Sequence, residues 1–542
     1  MYSSRPADVL SSPESILHTA VVLPADFNHS LEETSGIQAP TLVTTTHSLR
    51  TTNIFHQLSN EQQTGSATTF VFTTRSLETT ANIFQAQFTA HHTETVMVSS
   101  LVGQVAFAVF IAFFIFRYLK TVVGIYAWLS FKPKPILEKP TFTSEDVSVV
   151  CPTTFKTPDE LVMCLKGIVR CSPAAIYVVT SHANVEAVKQ CVKKNSIPGT
   201  TVLGVEKLNK RVQMLKALEF VDTKITVFAD DDVVWPSERY LDYLLAIFED
   251  PKVGAGGTRQ RVTRRSGNIF NWLGIGYLER RNWNNICCQA IDGSISTLSG
   301  RTSAYRSEIL QCDEFRYQFQ NDSWRGKPLN SDDDKFLTRF VYSHGWNIQI
   351  QSDSHAILET TLEEDWKFID QCMRWVRASK RGNFTVMENE SYWCDLSRFP
   401  WGLYVIYIGQ FQTPAILMDG LQFALLYLAS GSDSQARATA FASLAAWMVF
   451  TKNVKLMPHL VRNPGDIRFI PASMLFSYLH GFLSVYAAFT LTHVAWGGKD
   501  LKALEKAKMG ETEPLLTSAQ TGAEPHDQTT CVLSQRTTPE RK

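Results

Sequence analysis

The sequence lacks several patterns that would assign it to a familiar class at once. Its 10 cysteines include no CxxC pair, and only Cys287 and Cys288 are adjacent, so neither a zinc site nor a disulfide framework is indicated. Scattered cysteines of this kind are expected to be reduced, as in a cytosolic compartment. Net charge is lacking too: 52 Lys and Arg balance 52 Asp and Glu. No basic stripe stands out that could neutralise a phosphate backbone, which excludes a nucleic-acid partner on electrostatic grounds. The first ten residues have no basic stretch followed by an apolar core, so no secretory signal is expected. Patterned apolar residues are scarce throughout 1–95, which is rich in Ser and Thr and is expected to be a disordered tail. An echo between residues 47–55 and 75–84 is too short to build a solenoid. Asn28-His29-Ser30 is a glycosylation sequon if the segment faces outside, although a tripeptide arises often by chance.

What is present is strongly segmented. Residues 97–116 carry no charge and are long enough, as a helix, to span a hydrocarbon core of about 30 Å. Arg117, Lys120, Lys132 and Lys134 follow, and by the positive-inside rule they place the downstream chain in the cytosol. Residues 96–130 are thus expected to form a transmembrane helix and an interfacial segment. Residues 145–395 are mixed in character: apolar strands at 147–150, 174–180 and 224–229 alternate with helical spacing at 184–194 and 211–220. That order predicts a parallel sheet with helices on both faces and a ligand site beyond the C-terminal strand ends. Apolar runs return at 413–429, 438–450 and 469–495, with an aromatic, amphipathic stretch at 401–412 expected in the interface. Residues 400–498 are therefore expected to be a membrane domain, with Lys452, Lys455, Arg462 and Arg468 marking a cytosolic segment. Residues 499–542 are polar and expected to be a disordered tail.

Four constellations carry chemistry. Asp230-Asp231-Asp232 ends an apolar strand, and carboxylates at i and i+2 can share a hard divalent cation with substrate phosphates. Acidic turns after strands also occur without function. Asp332-Asp333-Asp334 opens a helix, where the macrodipole alone would favour carboxylates. The functional reading is a general base facing an acceptor hydroxyl. Gln371, Arg374 and Trp375 share one helix face at i, i+3 and i+4. There a guanidinium can meet a diphosphate and an indole can stack on a sugar, or the Trp can simply anchor the helix. Ser299-Gly300 is a turn in which glycine permits close backbone approach, a weak signal alone.

The order of these motifs, followed by apolar helices, resembles the processive family 2 glycosyltransferases, the hyaluronan, chitin and cellulose synthases. The likeness is strongest to fungal type 2 glycosyltransferases of the capsular polysaccharide synthase kind, and it spans about 97–499. The resemblance implies an α/β GT-A type (Rossmann-like) cytosolic domain inserted between transmembrane α-helices. It makes Asp230 and Asp232 the metal pair for Mg²⁺ or Mn²⁺, and Asp334, in preference to Asp333, the catalytic base. Gln371, Arg374 and Trp375 would bind the donor diphosphate and frame the acceptor. Lys210, in Asn209-Lys210-Arg211, would contact phosphate, and Ser299 and Gly300 would line the substrate. Trp496-Gly497-Gly498-Lys499 resembles the ending of the last transmembrane segment in hyaluronan-type synthases. The chain departs from the family pattern at three places. Thr180-Ser181-His182 stands where an acidic nucleobase motif is usual, Asn209 replaces a glycine, and Arg301-Thr302 follows the Ser-Gly turn instead of proline.

The expectation is an inverting, processive transferase of the plasma membrane. It would pass sugar from a UDP-sugar donor to a growing polysaccharide or glycan acceptor, with membrane lipids as neighbours and with coupled export. A glycolipid transferase of the ceramide type is the alternative within enzymes. A non-catalytic membrane scaffold is the alternative outside them, and the intact carboxylates weigh against it. The sequence carries no signal of oligomeric state.

Overall fold

The computed structural model describes residues 74–389 and 397–494, with side chains from residue 101 onward. The chain divides into two compact units, Met1–Ala86 and Gln87–Lys542, and the architecture below belongs to the second.

Short β-branched runs alternate with helices: β1 (Val147–Pro152), α2 (Pro158–Val169), β2 (Ala175–Ser181), α3 (Val185–Lys194), β3 (Thr200–Val205), α4 (Lys210–Leu218) and β4 (Ile225–Ala229) follow α1 (Thr74–Ser130). β1 pairs in parallel with β2 and β4, and β2 with β3. β2 and β3 lie on one side of β1 and β4 on the other, so the chain reverses its progress across the sheet there. Such a switch point opens a crevice at the C-terminal strand ends.

Beyond β4 come β5 (Val233–Val234), α5 (Tyr240–Leu245), β6 (Val253–Thr258), β7 (Gln260–Val262), α6 (Ile269–Asp292) and β8 (Thr302–Arg306). Then follow α7 (Asp313–Gln320), the hairpin β9 (Ser323–Trp324) and β10 (Lys327–Pro328), α8 (Asp333–Ser343), β11 (Asn347–Gln351), β12 (Leu358–Thr360) and α9 (Lys367–Asn389). The main sheet has the order β11-β6-β8-β4-β1-β2-β3, and β5-β12-β7 form a small second sheet. The expectation of a parallel sheet needs correction: β8 runs antiparallel to both β4 and β6, so the sheet is mixed. Thr302 pairs with Ala229, so the reversed direction brings the beginning of β8 to the crevice.

Alternation along the strands sorts the core into two faces. Val147, Val149 and Cys151 face one way, against Leu161, Leu165 and Ile168 of α2 and Leu241 and Leu244 of α5. Val150, Phe228 and Tyr305 face the other way, against Met214 of α4, Phe315 of α7 and Phe336 and Phe340 of α8.

Among the described residues, two helices are long and apolar enough to cross a membrane: Leu101–Ser130 within α1, and Pro464–Phe489, which contains α12 (Ile470–Phe489). α10 (Ala415–Ala429) is apolar but shorter, and the run at 438–450 falls inside α11 (Ser434–Asn453). α1 begins at Thr74, inside the segment whose composition reads as a tail. The stretch at 401–412 is an irregular helix that changes hydrogen-bond pattern at Leu403 and Gly409. Asp419 of α10 ties these helices together: it pairs with Arg117 of α1, lies 3.0 Å from Lys452 Nζ of α11, and accepts from the Tyr478 hydroxyl of α12 at 2.9 Å. A further apolar cluster joins this layer to the α/β layer, with Trp272 and Leu278 of α6, Phe368 and Cys372 of α9, and Phe476 of α12. The sequon at Asn28, the Trp496–Lys499 motif and the 499–542 tail lie outside the described residues.

Candidate active site

The C-terminal ends of β1 and β4 are joined directly, because the Thr153 hydroxyl donates to the Asp231 carboxylate. Asp230 leaves β4 with its N–H donated to the carbonyl of Arg301, at 2.8 Å. Its Oδ1 lies 2.7 Å from Lys210 Nζ, and the same ammonium lies 3.1 Å from Asp333 Oδ2. One lysine thus links the two acidic motifs. Burial alone would pull the pKa of Lys210 down, but the Asp230 and Asp333 carboxylates outweigh it and hold the ammonium above its ordinary range.

Lys210 starts α4, and the sequence fixes that start locally. The Asn209 side chain caps the helix, accepting from the N–H of Arg211 at 2.9 Å and of Val212 at 3.4 Å. Its amide also donates to Asn330 Oδ1 at 3.0 Å. The residue that departs from the family glycine therefore supplies a cap and a tie to the second acidic loop. Arg211 is buried and structural: it donates to the carbonyls of Phe319 at 2.8 Å and Ser331 at 2.9 Å, and to Asp322 Oδ2 at 2.9 Å.

The second cluster sorts its aspartates by partner. Asp332 stands at the helix start with φ 66°, a left-handed conformation that Asp tolerates, and is held by Arg381 of α9. Burial raises Asp333, but Lys210 and then Arg211 overcome this and hold the carboxyl below its usual range. Asp334 is half-buried and has no ion pair among the described residues. Burial, and then the charge of Asp333, hold its pKa above the usual carboxylate range. Of the three, Asp334 has the environment of a proton acceptor.

The Ser299-Gly300 turn packs against both motifs. A Cβ on Gly300 would stand 3.3 Å from Lys210 Nζ and 3.4 Å from Asp333 Oδ2, so glycine lets the turn close on the acidic pair. Ser299 Oγ accepts from Arg281 Nη1 at 3.4 Å. On α9, the Gln371 Oε1 is buried without a partner among the described residues. Arg374 has no hydrogen bond or ion pair among the described residues; burial and then neighbouring Arg301 lower its pKa, while Asp230, Asp333 and Asp334 oppose this. Trp375 stacks obliquely on Tyr277 with ring centroids 5.1 Å apart and lies under the Arg301 guanidinium at 5.4 Å.

All ten residues singled out from sequence line one cleft of about 660 Å³. The cleft also has members that sequence reasoning missed. Arg281 and Tyr277 come from α6, and Phe476, Ser477 and His480 from α12, so an apolar helix furnishes one wall. Only tertiary packing reveals these. Arg301 was visible merely as a departure after the Ser-Gly turn.

The acid pair fits a divalent cation. Asp232 Oδ1 is buried with no hydrogen-bond partner among the described residues, and burial followed by the Asp230 charge pushes its carboxyl up to about 7. A carboxylate so placed calls for a positive charge. Among the described residues no group of three or more His, Cys, Asp or Glu forms a closed metal site. Two carboxylates with the remaining positions left to phosphate is the Mg²⁺-type arrangement.

Residues 145–378 match the family described as glycosyltransferase like family 2. A type 2 glycosyltransferase of Gibberella zeae is 42% identical over 398 residues, covering 72% of this chain and 75% of that one. The chain belongs to glycosyltransferase family 2. A second fungal relative in the family, from Pyricularia oryzae, is 40% identical over 400 residues, covering 72% and 82%. Hyaluronan synthase of Streptococcus pyogenes is a more distant relative, 22% identical over 436 residues, covering 74% and 97%. Among solved structures, the mannosyltransferase PcManGT from Pyrobaculum calidifontis, in complex with GDP-Man and Mn²⁺, aligns at TM-score 0.46 and 17% identity, covering 72% of this chain and 99% of that one. This family 2 enzyme has the GT-A-like α/β fold with a mixed sheet.

Proposed function

We propose that this glycosyltransferase is an inverting, processive enzyme of the plasma membrane. It moves sugar from a UDP-sugar to the end of a growing polysaccharide, with its α/β domain on the cytosolic side and the product handed to the membrane helices for export. The observation that carries the reading is a single cleft lined by both acidic motifs, by Gln371, Arg374 and Trp375, and by Phe476, Ser477 and His480 of α12. A hydroxyl-bearing acceptor resting on Trp375 would have its far end beside an apolar helix.

Asp230 and Asp232 would hold Mg²⁺ or Mn²⁺. The chemistry such a cation supplies when bound is neutralisation of the departing diphosphate. Arg374, which has no hydrogen bond or ion pair among the described residues, binds the diphosphate, and Lys210 adds positive charge where negative charge develops. Gln371 offers its unpartnered carbonyl to a substrate hydroxyl. Ser299 and Gly300 line the cleft where the turn closes on Lys210 and Asp333. Asp334 takes the proton from the acceptor hydroxyl as the glycosidic bond forms in one displacement, which inverts the anomeric centre.

In domain terms, 96–130 and 400–498 form the membrane part and 145–395 the transferase. The relation to hyaluronan synthase supports a polymer product. The test is extraction of labelled product. A solvent-insoluble, high-mass polymer supports the reading, and an organic-soluble glycolipid points instead to the ceramide-type alternative.

A further inference from the structure

Arg301 has no role in the chemistry above, yet its placement is tightly constrained. It is 9% exposed and lines the cleft between β4 and α9. Its backbone is fixed on both sides: its carbonyl accepts from Asp230 N–H at 2.8 Å, and its own N–H donates to Ser299 Oγ at 3.4 Å. Its Nε donates to Thr360 Oγ1 on β12 at 3.1 Å, and its Nη1 to Gln260 Oε1 on β7 at 3.5 Å. The guanidinium face covers the Trp375 ring at 5.4 Å. Its Nη2 has no partner among the described residues, so the donors of that nitrogen are left unused in a residue that lines the cleft.

We propose that Arg301 is a second guanidinium of the donor-diphosphate site, working beside Arg374, and that the same group props the Trp375 ring. The inference rests on the reading of the cleft given above. The small β5-β12-β7 sheet explains how this arginine is held without an ion pair among the described residues: two neutral acceptors orient it. The Arg301 and Arg374 charges oppose each other, and an oxyanion of two phosphates is the ligand that relieves both, because guanidinium donors match phosphate oxygens. Arg301 also stands near Asp232, where it opposes the cation that the carboxylate calls for.

The test uses the full chain in nanodiscs, as wild type, Arg301→Met and Arg301→Lys, titrated calorimetrically with UDP and with GDP in the presence of Mn²⁺, and with Mn²⁺ alone. For whichever nucleotide the wild type binds, Arg301→Met is expected to bind it roughly tenfold to a hundredfold more weakly, the loss expected of a charge-assisted contact. Arg301→Lys should fall between, because it keeps charge and loses the fork. Mn²⁺ alone should bind Arg301→Met at least as tightly as wild type, because a like charge near Asp232 is gone. Equal nucleotide affinity in wild type and Arg301→Met overturns the proposal alone. Equal weakening of Mn²⁺ and nucleotide in both variants also overturns it, since that pattern marks a purely structural arginine. A wild type that binds neither nucleotide overturns the reading of the cleft itself, and this proposal with it.

Discussion

Arg381 grips Asp332 through two nitrogens, Nε at 2.7 Å from Oδ2 and Nη2 at 3.0 Å from Oδ1. Both side chains are almost completely buried. The same arginine donates to the carbonyls of Leu491 and His493, each at 3.1 Å. It therefore fixes the start of α8 to α9 and to the segment that follows α12. Arg381→Met strands a buried carboxylate and is expected to cost about 3–5 kcal/mol of stability. Pairing it with Asp332→Asn should recover most of that loss. Thermal unfolding of the wild type and the two variants in detergent checks both statements, and a double variant as unstable as the single one would speak against the pair.

With Asp332 bound to Arg381 and Asp333 bound to Lys210, Asp334 is the aspartate proposed for proton transfer. Asp334→Asn is expected to lower the transfer rate by about 10²–10⁴-fold and to leave nucleotide binding near wild type. Asp333→Asn should act differently, because it removes a partner of Lys210 and weakens the link to Asp230. Initial rates set beside calorimetric nucleotide affinities separate the two. Near-normal turnover in Asp334→Asn would remove it from the base position.

The pH dependence has a definite sign. Burial, and then the Asp333 charge, hold the Asp334 carboxyl above its usual range, so the folded state binds that proton more tightly than the unfolded state. Between the ordinary carboxylate pKa of about 4 and the raised value, the folded state carries the extra proton. The contribution of Asp334 to stability therefore falls as pH rises through this window. Transfer should rise across the same window as the base loses its proton. Asp334→Asn is expected to flatten both trends and to unfold at a higher temperature than wild type at neutral pH. Unfolding midpoints compared at about pH 5 and about pH 8 give the reading.

Much of this site was legible in the sequence, for reasons that individual residues make plain. Asp230 to Asp232 follow an apolar run too short for a helix, and such a run ends where ligands bind. Gln371, Arg374 and Trp375 needed only helical periodicity to fall on one face. Arg301, Arg281 and His480 were not legible as site residues, because tertiary packing alone brings them in. The antiparallel β8 was hidden as well: Thr302–Arg306 is a short strand ending in an arginine, and its direction depends on the path of α6 before it. The start of α1 at Thr74 ran against composition, since Thr and Gln in its first turns mask the helix.

Gly300 offers a test of packing rather than of charge. A Cβ there would press on Lys210 Nζ, the far end of a flexible side chain, and on Asp333 Oδ2. Gly300→Ala is expected to fold and to keep part of its activity, because Lys210 can give way by a few tenths of an ångström. Gly300→Val should displace Lys210 from its two carboxylates and reduce transfer by about tenfold or more, as small misplacements in a reacting geometry do. Steady-state rates for the two variants decide it, and a fully active valine variant would show that the turn does not close on the pair.

The most direct measurement is a donor screen on the purified chain in nanodiscs with Mg²⁺ or Mn²⁺, following nucleoside diphosphate release and the mass and solubility of the product. The expected result is release from one UDP-sugar, with a high-mass product that stays out of organic solvent and stops forming in Asp334→Asn. Release with only an organic-soluble product, or no release from any UDP-sugar, would contradict a polysaccharide synthase.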